Sequence, residues 1–424
     1  MFRLSDGLYK SLTAILLIFI FTFLLIYYKP FVHKIYESEG YNYSFSLFNL
    51  YISVLILFFS LLSILYLPVK PSVFATSVVI KLLFLIPCLV FFVEMNTDFR
   101  IVFSIFLLDF LFIIFSLFNY NFKSVQIKFN QQILILIFLL ILLLIPIIFS
   151  FGMRLNFQLF LLKDIYKTRL AIRNISNPLV DYCIFWSSKV IIPIIIVYGL
   201  MFKKNIITII GIVSLLMVFL ISGAHKAILV SLFIILLFFF FNNYYKKIFA
   251  FVFSVACLLV IGMFLFEHFS FVTLADLLVR RTLLDPSLLD VIYFDFFDNN
   301  HMYLSHSIFK SFIDNPYDIQ PSYVIGAKYF HSSLSNAGNG IISDGFMNFG
   351  MFGVFISILL SVLILCYISA AKLNPKFFGL VFIIIYGYSC TGILTNILTG
   401  GIFIILLLIQ FFLKNRIYSL KTDL

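Results

Sequence analysis

Arg280 and Arg281 stand side by side, and Asp295, Asp298, Asn299, His301 and His306 follow, four of them acid/base-capable. Paired guanidiniums grip a phosphate or diphosphate through parallel hydrogen bonds. Carboxylates and imidazoles take and return protons, so these residue types together suit acid/base work on a phosphorylated substrate. A second basic segment, KDIYKTRLAIRN, holds Lys163, Lys167, Arg169 and Arg173. On a helix, Arg169 and Arg173 would be i,i+4 neighbours facing one way. That arrangement fits a diphosphate grip and equally a basic helix lying on anionic lipid headgroups. The turn SGAHKA places His225 and Lys226 at a helix start, where a cation opposes the helix dipole and calls for a ligand or an acidic partner.

The elements that position these residues are apolar. The chain has 424 residues, of which 63% are hydrophobic and only 11% charged, against roughly 25% charged in a soluble domain. This excludes a water-soluble globule, a disordered chain and a nucleic-acid binder. A spanning helix needs about 20 apolar residues. About twelve such runs are present: 11–28, 45–68, 73–93, 101–118, 133–151, 184–202, 206–221, 226–241, 248–266, 346–369, 377–393 and 398–413. The expected fold is therefore an all-α polytopic membrane protein, with residues 1–424 forming one integral membrane domain. The first run lacks a small-residue cleavage site after it and reads as a retained helix.

Lys and Arg set the sidedness. With a cytoplasmic N-terminus, every short cytoplasmic turn carries Lys, through Lys70, Lys123, Lys128, Lys203, Lys204, Lys246, Lys247, Lys372 and Lys376, and both termini lie inside. Only Asp6 and Asp423 are acids on that side, so the net charge of +11 marks topology rather than nucleic-acid binding. The longest internal cytoplasmic loop, 119–132, is too short for a nucleotide-binding domain, and neither GxxxxGK[ST] nor a strand–GxGxxG–helix unit occurs. Two long outer loops are expected, 152–183 and 267–345. They collect all the paired arginines, while His33, His225, His268, His301, His306 and His331 all fall on the outer side. Ordinary pairing with outer acids and binding of an anionic ligand both account for arginines there.

The second loop opens with LADLLVRRTLLDPSLLDVIYFDFFDNN, which Asp285-Pro286 should break and restart as a helix. After the turn-rich residues Asn336 to Gly340, the tenth span should begin with its N-terminus facing outward. Such ends bind anions, and Asp344 in the first turn suits the dipole. Gly345, Gly350 and Gly353 read as positions of close helix packing. Lys81 and Asp109 lie deep in adjacent spans, at levels about 6 Å apart for a rise of 1.5 Å per residue. A structural ion pair is favoured there over a proton relay. Cys88, Cys183, Cys257, Cys366 and Cys390 lie in apolar runs or at their edges, without CxxC spacing, and read as small core residues rather than disulfides or metal ligands.

Paired Arg ahead of a Leu-rich stretch, then YFDFFDNN, NPYDIQPSYVIGAKYF and SNAGNGIISDGFMNFGMFG, together with ISGAHKAIL, resembles the O-antigen polymerase (Wzy-type oligosaccharide repeat-unit polymerase) family. The motifs cover the region 220–353, and the topology with two large outer loops covers the whole chain. The resemblance implies a GT-C-like glycosyltransferase of the bacterial inner (cytoplasmic) membrane, acting in lipopolysaccharide and polysaccharide biosynthesis. It would join undecaprenyl-diphosphate-linked oligosaccharide units at the periplasmic face, without a cofactor or metal. Its partners would be that lipid-linked oligosaccharide, membrane lipid and a chain-length regulator. In this reading Asp298, His301 and His306 are candidate catalytic residues. Arg169, Arg173, Arg280, Arg281 and Lys226 are candidate diphosphate ligands, and Asn299, His331 and Asn336 are candidate substrate-binding residues. An O-antigen ligase shares the layout, and a lipid-linked oligosaccharide flippase handles the same substrate.

Overall fold

The structure, a computed structural model, describes residues 5–118, 120, 127, 129–152, 177–222, 226–307, 312–317, 319–332 and 335–413. Their regular structure is helical. In chain order the principal helices are α1 (Asp6–Tyr27), α2 (Leu47–Tyr66), α3 (Pro71–Glu94), α4 (Phe99–Leu117), α5 (Phe129–Phe151), α6 (Pro178–Met201), α7 (Asn205–Ile221), α8 (Lys226–Phe239), α9 (Tyr244–Phe269), α10 (Asp285–Phe297), α11 (Pro321–Tyr329), α12 (Ile341–Ala370), α13 (Phe378–Cys390), α14 (Ile393–Leu398) and α15 (Ile402–Phe411).

Among the described residues, eight helices are long and apolar enough to cross a membrane: α1 with its continuation to Glu39, α2, α3, α4, α5 (over Gln131–Phe151), α6, α9 and α12. The chain is thus an all-helical polytopic membrane protein. The other four expected runs are also helical, but α7, α8, α13 and α15 have 17, 14, 13 and 10 residues. Each is shorter than the roughly 20 residues of a straight crossing.

The chain packs into two compact units. The first comprises residues 1–119, 244–367 and 385–393. Its centre is α3, which is hydrophobic all round and buried along its whole apolar window, as expected of a helix with no solvent or lipid face. Helices α1, α2, α4 and α9 surround it. At one end of this bundle the Lys10 ammonium sits over the rings of Tyr245 and Phe74. The opposite end carries the connections 28–46, 95–98 and 270–340, and contacts between them gather the polar side chains described below.

The local sequence explains the helix starts at that end. Ser46 caps α2 by accepting from Asn49 N, and Asp98 caps α4 by accepting from Arg100 N at 2.7 Å. Asn49 in turn donates 2.8 Å bonds to Phe92 O and to Asn96 Oδ1, tying α2 to the end of α3.

Helix α12 is not one rod. It begins after Gly340, as expected, but breaks at Phe349 (φ −142°, ψ 23°) and Gly350 (φ 59°, ψ −148°). Its two parts fold back so closely that a Cβ on Gly353 would lie 2.1 Å from Gly345 O. The expected packing role of these glycines therefore holds, while the expected uninterrupted span from residue 346 is replaced by a break at 349–350. Only glycine adopts the Gly350 conformation without strain.

The second unit comprises residues 120–243, 368–384 and 394–424. Within it α6 and α7 cross at Gly199, where a Cβ would lie 2.3 Å from Thr208 Oγ1, a close approach that small residues permit. The Trp186 indole donates to Leu398 O at 2.7 Å, and the Tyr198 hydroxyl donates to Phe412 O at 2.8 Å.

Candidate functional site

The polar end of the first unit holds three groups. The first centres on Arg280. Residues 276–284 wind as a π-helix that runs directly into α10, so Asp285-Pro286 restarts the helix as expected but without an intervening break. The wide turn accommodates the proline, which has no N–H to give. This winding points Asp276 and Arg280 at each other, Nε to Oδ1 2.5 Å. Arg280 Nη1 also reaches Glu39 at 2.8 Å and Asp285 at 3.5 Å. Its guanidinium lies over the Tyr36 ring, 4.3 Å to the centroid. The Tyr41 hydroxyl donates to Asp285. Burial alone would raise the Asp276 carboxyl, but the hydrogen bonds and charges of Arg280, Tyr36 and Arg281 outweigh it and hold it below its usual range. Burial and the negative charge of Asp285 push the Tyr41 hydroxyl well up. Arg280 is therefore closed in by carboxylates, its side chain 9% exposed. Among the described residues Arg281 pairs with Asp276 alone, at 3.0 Å, and its side chain is 61% exposed.

The second group is Arg100 between two carboxylates. Asp98 holds its Nε at 2.5 Å and Asp298 its Nη1 at 2.9 Å, so the cap of α4 also orients this arginine. The Arg100 guanidinium stands over the Phe346 ring at 5.4 Å. Phe346 stacks on Phe294 at 3.8 Å and meets His301 edge-on at 5.7 Å. The Asp298 side chain remains 44% exposed.

The third group locks the start of α12. Asp290, buried in α10, accepts from the Ser343 hydroxyl at 2.5 Å and from the Ser343 backbone N–H. The positive helix end that the sequence offered to an external anion is thus met by the chain's own carboxylate. Asp344 is half-buried beside Asn339 and against Gly392, where a Cβ would fall 2.3 Å from the carboxyl carbon. Asn348 donates to Asp344 O at 2.8 Å and accepts from Leu304 N at 2.9 Å. The backbone N–H groups of Met302 and Tyr303 donate to Met347 O and Asn348 O.

Among the expected site residues, Asp298 pairs with Arg100, which lies over the Phe346 ring that His301 meets edge-on, and Arg280 and Arg281 lie on one turn. Asn299 is exposed beside Asp298. Nδ1 of His301 and of His306 is buried without a hydrogen-bond partner among the described residues, and burial lowers the His306 imidazole. His331 and Asn336 are exposed on the connection between α11 and α12, and no hydrogen bond among the described residues joins them to Asp298 or His301. Lys226 is the first residue of α8 in the second unit. Its side chain, and Arg169 and Arg173, lie outside the described residues. Among the described residues no group of His, Cys, Asp and Glu is arranged to hold a metal ion.

The sequence reading missed Arg100, Asp98, Glu39, Tyr41 and Asp290. For Arg100 the available signal was Asp98 two residues before it, the cap of α4. Comparison with known proteins returns no match: no family model, curated protein or solved structure is similar to this chain.

Burial pushes the Asp290 carboxyl up to about 7, although the Ser343 bonds oppose the shift. An unfolded aspartate titrates near 3.9. Between those values the folded state binds the extra proton. The contribution of Asp290 to stability is thus fully present below about pH 4 and lost as pH rises through about 7. At about 1.4 kcal/mol per unit the difference amounts to a few kcal/mol. Asp290→Asn keeps an acceptor for Ser343 and cannot ionise. Its melting temperature is expected to exceed that of the wild type at pH 8 and to vary less from pH 5 to 8. Parallel melting profiles for the two proteins would remove Asp290 as the titrating group.

Proposed function

We propose that this chain is a repeat-unit polymerase of the O-antigen type, an inner-membrane glycosyltransferase that joins undecaprenyl-diphosphate-linked oligosaccharides at the periplasmic face. The observation that supports this reading is where open charge lies. Arg281 and the Arg100–Asp298 pair are exposed at the loop-bearing end of an apolar bundle, whereas Lys81 and Asp109 within the bundle are closed on each other. A transporter concentrates open polar groups near the midplane. An enzyme acting on the head of an amphiphile needs them at the end.

In this reading the chain is GT-C-like, about twelve segments cross the membrane, both termini are cytoplasmic, and residues 152–183 and 267–345 are the large periplasmic loops. Arg281 binds one lipid diphosphate, and Arg169 and Arg173 of the first loop bind the other. Arg280 organises the turn that carries Arg281. Asp298 takes the proton of the acceptor hydroxyl as its oxygen bonds to the anomeric carbon of the donor. The bond from that carbon to the diphosphate oxygen breaks, and the departing anion is stabilised by arginine.

The test is the ladder of lipopolysaccharide chain lengths in cells that lack the gene and carry Arg281→Ala, Arg100→Ala or Asp298→Asn at matched protein levels. Losing a charge-assisted bond worth about 1.5–3 kcal/mol weakens binding roughly 10- to 150-fold. The expected product is core bearing a single repeat unit, with the ladder lost. A normal ladder in all three variants contradicts the proposal, and loss of the single-unit band as well points to a ligase or flippase.

A further inference from the structure

Two segments joined through His301 to Phe346, the ring under Arg100, carry exposed aromatic rings on backbones in sparsely populated conformations. Tyr303 (φ 49°) and Leu304 (φ 65°) are consecutive non-glycine residues in the left-handed region, an arrangement that persists only where neighbours enforce it. The enforcement is visible. Tyr303 N donates to Asn348 O at 3.2 Å and Leu304 N to Asn348 Oδ1 at 2.9 Å. The second segment is the break in α12, where Phe349 leaves helical geometry and Gly350 follows at φ 59°. His301 packs against Gly350 so closely that a Cβ there would lie 3.0 Å from its Nε2. The outcome of both distortions is a pair of edge-on rings, Tyr303 and Phe349, with centroids 5.9 Å apart. They are 53% and 39% exposed. His301 joins them to Phe346, the ring under Arg100.

We propose that Tyr303 and Phe349 form a carbohydrate subsite that takes one pyranose ring of the saccharide. The C–H face of a pyranose is apolar and faintly positive, and suits the negative face of an aromatic ring. Its equatorial hydroxyls suit a charged hydrogen-bonding edge, and the Arg100–Asp298 pair lies along the ring chain that runs from Tyr303 through His301 to Phe346. A purely lipid-facing aromatic pair needs neither that edge nor a strained, pinned turn. The inference rests on the reading that the substrate is a saccharide, but not on the polymerisation step. Asn348 acts as a positioning residue that holds Tyr303 through its backbone.

The experiment uses the purified full chain in lipid nanodiscs. The probe is the set of lipid-free oligosaccharides obtained by mild acid hydrolysis of the host's own surface polysaccharide, and the readout is saturation transfer from protein to sugar ring protons. The wild type is expected to saturate the C–H face of one ring. Tyr303→Leu and Phe349→Leu are expected to weaken binding about three- to tenfold, the range for losing an aromatic contact. Tyr303→Phe, which keeps the ring, is expected to stay within about threefold of the wild type. Equal binding by the wild type and both Leu variants overturns the subsite, as does absence of transfer to the wild type. The chain-length ladder of the gene deletion separates the two ideas. Ring-dependent binding together with an intact ladder keeps the subsite and removes polymerisation. A lost ladder with ring-independent binding does the reverse.

Discussion

Arg280→Ala is expected to remove most of the folded protein from the membrane, whereas Arg281→Ala leaves its amount unchanged and acts on activity alone. The two side chains are adjacent in sequence, yet the π-wound turn gives them opposite surroundings. Arg280 is 9% exposed, with Asp276, Asp285 and Glu39 around its guanidinium. Truncating it leaves Glu39 and Asp285 without their cation and Asp276 with only the exposed Arg281, in a partly buried space. Breaking a buried pair by removing one partner costs about 3–5 kcal/mol, a large part of the 5–15 kcal/mol by which a protein is stable. Arg281, 61% exposed and sharing Asp276, has a surface pair worth about 0–1 kcal/mol. Arg280→Lys keeps the charge but cannot span Asp276 and Glu39 with one fork, so partial recovery is expected. Adding Asp276→Asn to Arg280→Ala removes one unpaired carboxylate and should restore part of the folded amount. Detergent-solubilised size-exclusion profiles and melting curves read all four proteins. Full abundance and an unshifted melting curve for Arg280→Ala would show that the cluster contributes nothing to folding.

How far the site was legible follows from which constraints are local. The glycines of SDGFMNFGMFG declared close packing, because a residue without Cβ in an apolar run has few other uses, and Gly345 against Gly353 is that packing. The break at Phe349–Gly350 was not legible, because FGMFG reads as an unbroken apolar helix and the turn is fixed by tertiary contacts with residues 301–304. Arg280 and Arg281 announced themselves as a pair. That one is closed and the other open depends on Glu39, far away in sequence, and on a π-turn that helical periodicity does not report. Asp290 carried no signal in the sequence. Its burial follows from Ser343 arriving above it, a contact that spacing cannot give. The helix N-terminus at Ile341 was correctly placed, but the acceptor that meets it, Asp290, belongs to the protein itself.

Asp109 and Lys81 were the clearest case in the sequence, because a lone charge within an apolar span has almost nowhere to go but to an opposite charge. The structure closes them at 2.5 Å, with both side chains essentially without exposure. Three helices contribute: α3 supplies Lys81 and Ser77, α4 supplies Asp109 and α2 supplies Ser60. Asp109 accepts from Ser77 at 2.6 Å and Ser60 at 3.1 Å, while Lys81 also donates to Ser77 at 2.6 Å. Both carboxylate oxygens are thereby engaged, which suits a joint between helices and leaves little room for a proton carrier. A single neutral replacement, Asp109→Asn or Lys81→Met, strands the remaining charge and is expected to cost about 3–5 kcal/mol, seen as a sharp fall in folded protein. Replacing both residues by apolar ones, Lys81→Met with Asp109→Leu, should recover most of that loss, because a buried pair exchanged for well-packed apolar groups is often neutral or stabilising. Exchanging the charges, Lys81→Asp with Asp109→Lys, should recover less, since the serines are placed around a carboxylate on α4. A chain-length ladder restored together with protein abundance in the apolar double variant identifies the pair as structural. Full abundance in Asp109→Asn with the ladder abolished would instead make Asp109 a working group, and the closed ion pair a resting state of it.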